Sequence, residues 1–196
     1  MGIVGGRRRT VGRMVMAACV GSLLLGAAGC TAPSTSEPAP TSNPPTVAPV
    51  FASDEEALAA ATEAYSNYLA TYDALWADGD GAMDDYLALS TGNAHDGEVQ
   101  SMTEWEAKGW RATGTTAFDS MALQSISRSD TGGWTLRTYL CVDASQGDVI
   151  DGTGASVAKP DRPLRLPLEV EFTTTSATSD QLLISESKVW SGKDFC

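Results

Sequence analysis

From Ser53 onward the apolar residues fall first at three- and four-residue spacing and later at every second position. Leu58, Ala61, Tyr65, Tyr68, Leu69, Tyr72, Leu75 and Trp76 share the helical period and give a long first helix one buried face, ending near Gly79. Ser53 followed by Glu56 forms a capping box, and Asp54 and Glu55 add negative charge to the first turn, where the helix dipole favours it. Gly81 to Ser90 fits a short second helix with Met83, Tyr86 and Leu87 inward and Gly92 just past its end. A third helix runs from Asp96 or Gly97 to Lys108, carries Val99, Met102 and Trp105 on its inner face, and stops at Gly109.

Beyond Gly109 the period changes to two. Phe118 to Ser127 reads as a strand, and Trp134 to Val142 alternates Trp134, Leu136, Thr138 and Leu140 with Thr135, Arg137, Tyr139 and Cys141. Asp130-Thr131-Gly132-Gly133 supplies the turn between them. Leu164 to Thr174 and Gln181 to Trp190 make two more strands, joined through a polar turn at 176–180. Pro167 suggests an edge position or a late start for the first of these, because proline cannot donate to a ladder. A Gly/Asp-rich loop fills 145–163, with a short strand around Val149-Ile150.

Helices followed by a mostly antiparallel sheet make an α+β layout, and residues 53–196 form a single domain long enough to bury one core. This order and length resemble the cone-shaped fold of ketosteroid isomerase, scytalone dehydratase and nuclear transport factor two, in which N-terminal helices pack in a curved sheet. The alternative is an α+β sandwich with the helices on one sheet face. The resemblance implies a ligand pocket and, in its enzymatic members, dehydratase or isomerase chemistry.

The first 29 residues have the parts of an export signal. Arg7, Arg8, Arg9 and Arg13 precede an apolar stretch from Met14 to Leu25, which is short and rich in Gly and Ala for a spanning helix. Leu25-Gly26-Ala27-Ala28-Gly29-Cys30 resembles the lipobox of bacterial lipoproteins, with Ala27 where that pattern usually has Leu. The resemblance implies that the Cys30 thiol receives a diacylglycerol, that cleavage falls just before it, and that the protein is held on the extracytoplasmic face of the cell membrane. Residues 30–52 then form a linker in which six prolines (Pro33, Pro38, Pro40, Pro44, Pro45 and Pro49) interleave with Ser and Thr. Its proline-bearing part, residues 31–50, extended at about 3.1 Å per residue, would hold the domain up to about 60 Å from the bilayer.

Loss of the leader sharpens the charge. Thirteen basic residues less its four arginines leave nine against 25 acidic, a net charge of about −16. Such a field repels phosphate backbones and argues against nucleic-acid binding. Cys19 leaves with the signal and Cys30 takes the lipid, so Cys141 and Cys196 remain as the pair for a structural disulfide in an oxidising compartment. A bridge closing about 55 residues contributes about 4 kcal/mol through chain entropy.

Candidate chemistry is sparse. His95, the only histidine, stands beside Asp96 and is the candidate acid/base for the enzymatic reading; against this, Asp96 is placed to cap the third helix and adjacent residues in a turn usually point apart. With one histidine and no spare thiol, the usual zinc sites are excluded, and Asp78-Gly79-Asp80-Gly81 lacks the ligands of a calcium loop. No P-loop or nucleophile elbow is present, and no cofactor is implied. Tyr65, Tyr68, Tyr72 and Trp76 along one side of the first helix either pack the core or line a pocket for an apolar or aromatic ligand. The expectation is a membrane-anchored, non-catalytic protein that binds a small ligand or docks a cell-envelope protein. A dehydratase- or isomerase-like enzyme using His95 or buried carboxylates is the alternative.

Overall fold

The Ser53 hydroxyl accepts the Glu56 N–H at 3.2 Å, and the Glu56 carboxylate reaches back to the Ala52 N–H at 2.8 Å. This reciprocal cap, one residue offset on its return arm, starts α1 (Asp54–Ala77) where the sequence pattern places it. The computed structural model describes residues 50–77, 82–130 and 132–196. The expected export signal, Cys30, most of the expected linker and residues 78–81 lie outside the described residues.

Two further helices follow, α2 (Met83–Leu87) and α3 (Gly92–Lys108), then β1 (Arg111–Gly114), β2 (Ala117–Arg128), β3 (Trp134–Asp143), β4 (Gly147–Ile150), β5 (Arg165–Thr174) and β6 (Leu182–Val189). Strands β2, β3, β5 and β6 lie side by side in that order, all antiparallel, and β1 pairs with β4 in a separate ribbon. The α+β class is therefore observed: N-terminal helices rest against an antiparallel sheet, which is not closed into a barrel among the described residues. Two register shifts in β2 bend the sheet, the first around Ser120, which takes φ 57°. This curvature is consistent with a cone-like arrangement.

Alternation explains the core. Leu136, Thr138 and Leu140 of β3, Val170 and Phe172 of β5, and Ile184 of β6 point inward and are buried. Ala57 and Ala61 of α1 meet them, and their small side chains bring the helix close to the sheet. Arg137, Glu169, Glu171 and Lys188 alternate to the outer face, where Arg137 pairs with Glu171 and Lys188 with Glu169, each at 3.1 Å. Cys141 and Cys196 are joined there, with Cα atoms 5.5 Å apart, and the C-terminal tail lays Phe195 against Tyr139.

Three local expectations change. The third helix starts at Gly92 rather than at Asp96 or Gly97, so Asp96 lies inside it and is not its cap. The cause is tertiary: Thr91 N–H donates to Ile184 O and Ile184 N–H to Leu89 O, so residues 89–91 run along β6 and the helix begins directly after them. The second helix is shorter than the pattern suggests, and β1 has no periodic signature. Pro167 is in a central strand, not at an edge. Its missing donor falls where the β6 ladder ends, and its carbonyl still accepts the Trp190 N–H at 2.8 Å.

Candidate functional site

Along α1 the aromatic residues divide by position. Tyr65, in the first half, meets Phe118 edge-on at 4.9 Å and Phe172 at 6.5 Å, which fills the concave side of the sheet. Later turns carry Tyr68, Tyr72 and Trp76 past this core, and there space opens. A crevice of about 390 Å³ lies between α1, α2 and α3. A smaller cavity of about 210 Å³ separates α1 from the β1–β4 ribbon, and an apolar groove of about 670 Å³ runs over Trp76, Leu87, Met102 and Trp110.

The crevice holds a hydrogen-bonded polar group. Tyr68 donates its hydroxyl proton to Glu98 Oε1 at 2.8 Å, and Ser90 Oγ donates to Glu98 Oε2. The Tyr68 and Tyr86 hydroxyls are 2.6 Å apart. A carboxylate only accepts, so the single Tyr68 proton goes to Glu98 and Tyr86 must donate to Tyr68. Two short donor chains thus end on one carboxylate. No ion pair to Glu98 forms among the described residues, although five carboxylates of the sheet (Asp119, Asp143, Glu169, Glu171 and Glu186) have arginine or lysine partners.

Aromatic rings wall this group. Tyr68 and Tyr86 are 5.1 Å apart between centroids, Tyr72 and Tyr86 5.4 Å, and Trp76 and Trp105 5.8 Å. Each element brings its residue for a local reason. Tyr68 and Tyr72 are one helical turn apart on α1. Glu98, Met102 and Trp105 recur at four- and three-residue spacing on α3. The strand-like pairing of residues 89–91 with β6 fixes Ser90 beneath Glu98.

Burial sets the protonation of the phenols. It pushes Tyr68 far above the ordinary tyrosine value, and the neighbouring Tyr86 and Glu98 add to the effect. Burial likewise raises Tyr86, and it lifts Tyr72 to about 12 with the help of the Asp73 carboxylate. These hydroxyls remain protonated donors at any physiological pH. In the cavity beside the ribbon, burial raises Asp73 above the usual carboxylate range, opposed by the Thr116 N–H at 3.4 Å. Arg162 on the opposite wall donates to the Gly147 carbonyl at 2.6 Å and to Ala144 O at 3.4 Å, which ties the long loop to the turn after β3. The Trp76 indole N–H is buried without an acceptor in hydrogen-bond geometry, although it lies close enough to the Tyr72 oxygen to favour its ionised form.

His95 does not join this site. Its Nδ1 lies 3.1 Å from Leu87 O, which fastens α3 to the end of α2, and it lines none of the cavities described above. Of the residues singled out in the sequence, the structure brings Tyr68, Tyr72, Met102 and Trp105 to the crevice, with Tyr86 from the second helix. Val99 instead is 40% exposed. Glu98, Ser90, Asp73 and Arg162 carried no recognised motif. The spacing of Glu98 to Met102 and Trp105 was a usable signal, since it sets a carboxylate on an apolar helix face.

No protein-family model and no curated protein matches the chain. Among solved structures, it is similar to the intermembrane space region of chloroplast protein ARC6, at 12% identity and a TM-score of 0.46 over 67% of this chain and 95% of that one. A periplasmic fragment of TraM matches at 14% identity and 0.43, over 67% and 95%. Aln2 from a Streptomyces species matches at 15% identity and 0.35, over 71% and 92%. At these scores the likenesses bear on neither site nor function.

Proposed function

We propose that this protein is a lipid-anchored, extracytoplasmic binding protein that holds a small ligand in the crevice between α1, α2 and α3. The observation that carries the reading is the Glu98 carboxylate. It is fixed by Tyr68 and Ser90, has no ionic partner among the described residues, and sits in an open space walled by aromatic rings. Sites for small molecules combine apolar walls with a few fixed polar groups in this way.

The anchor is Cys30, by its lipobox-like setting. Two or more acyl chains give durable membrane attachment, whereas one is marginal. Mass spectrometry of the mature N-terminus should find an acylated Cys30, and an unmodified secreted form would refute the anchor. For the crevice, a thermal-shift screen of small charged and neutral compounds should yield stabilising ligands whose effect is lost in Tyr72→Ala. Failure of every compound class would remove the binding role.

An enzymatic reading survives in altered form. Glu98 would act as the base and the Tyr68–Tyr86 pair as donors, in place of His95. Binding is preferred because the Tyr68 proton is already committed to Glu98, so neither group is free for proton transfer without rearrangement. Docking of an envelope protein on the sheet is less favoured, since ion pairs occupy much of the outer face.

A further inference from the structure

Resting on the binding role just proposed, we infer that the ligand of the crevice is a small organic cation, an ammonium group carried on an apolar body. Three observations converge on that chemistry. First, the Glu98 carboxylate lines the crevice, accepts hydrogen bonds from Tyr68 and Ser90, and has no ion-pair partner among the described residues. Hydroxyl donors stabilise and orient a carboxylate, while its charge stays available to a cation.

Second, Tyr72, Tyr86 and Trp105 present rings around the same space. Ring faces attract cations through their quadrupole, most strongly where water is partly excluded. An anionic ligand would be repelled by the carboxylate, and a neutral one would leave it without a counter-charge. Third, inorganic cations are poorly served. A single carboxylate with hydroxyls engaged as donors does not supply the several oxygen ligands that calcium or magnesium requires. A weakly hydrated organic ammonium needs only one counter-charge and apolar walls. The acidic chain as a whole, at −12 before any processing, also draws cations toward its surface.

The test is calorimetric titration of the purified full-length chain with three probes of similar size: benzyltrimethylammonium, benzyl alcohol and benzoate. Benzyltrimethylammonium should bind at least tenfold more tightly than the other two. Glu98→Gln, which keeps the size of the side chain and removes its charge, should weaken that binding at least tenfold. The probe comparison in the unmodified protein stands even if the variant folds poorly. Equal binding of benzyl alcohol and the ammonium probe would overturn the cation inference and leave the crevice as a ligand site. Preference for benzoate would overturn it in the same way. Binding of none of the three would overturn it as well, and the compound screen described above then decides separately whether the crevice binds anything.

Discussion

Replacing Tyr68 by Phe removes one oxygen that serves two partners at once. Glu98 loses a donor at 2.8 Å and Tyr86 loses its acceptor at 2.6 Å. A hydrogen bond to a charged group contributes about 1.5–3 kcal/mol, and a buried hydroxyl left without a partner costs about 1–3 kcal/mol. The crevice admits water to Glu98, which recovers part of the first amount, so the expected loss is about 2 kcal/mol. For a domain of this size that lowers Tm by about 4–8 °C. Calorimetry and urea unfolding would measure it. A double-mutant cycle with Glu98→Gln isolates the pair and should give a coupling of about 1 kcal/mol or more. A Tyr68→Phe protein as stable as the parent, or a coupling of zero, would refute the donor chain. It would also undercut Glu98 as a fixed, charged centre of the crevice.

Other expectations follow from the same geometry. Burial raises Tyr65, Tyr68 and Tyr86 above the ordinary value near 10, so the folded state holds their protons where the unfolded chain has released them. Their contribution to stability is complete below about pH 10 and falls as pH climbs beyond it; phenolate absorbance should therefore rise together with loss of far-UV circular dichroism, and all the tyrosines titrating near pH 10 in a folded protein would contradict this. Asp73 has the same sense at lower pH: its raised value means that ionisation opposes folding, so Asp73→Asn should raise Tm at pH 7, with the gain fading in acid as the carboxyl protonates in both states. Cys196→Ser opens a bridge spanning 55 residues and should cost about 4 kcal/mol in denaturant unfolding, with release of Phe195 from Tyr139 visible by near-UV circular dichroism. Gly133→Ala sets a Cβ 2.6 Å from Thr174 O, beside the Thr174 hydroxyl that accepts the Trp134 N–H, and should destabilise by about 1–3 kcal/mol; an unchanged midpoint would show that the turn gives way freely.

Local pattern specifies the periodic parts of this protein. A capped 3.6-residue repeat encodes α1, and alternation encodes β3 and β5, because burying one face of a regular element demands a regular pattern. The expectation of a basic, apolar leader and a proline-rich linker ahead of one domain rests on composition alone. Where α3 begins is a matter of long-range contact, since the pairing of Ser90 with Ile184 pulls residues 89–91 onto the sheet and overrides Asp96 as a cap. The same holds for β1, four residues without a periodic pattern that pair with β4. The site belongs with these. Tyr68, Tyr86, Ser90 and Glu98 come from segments up to 30 positions apart, and each looks ordinary in its own window. Their meaning is a hydrogen-bonded carboxylate among rings, a property of distances that no local pattern encodes.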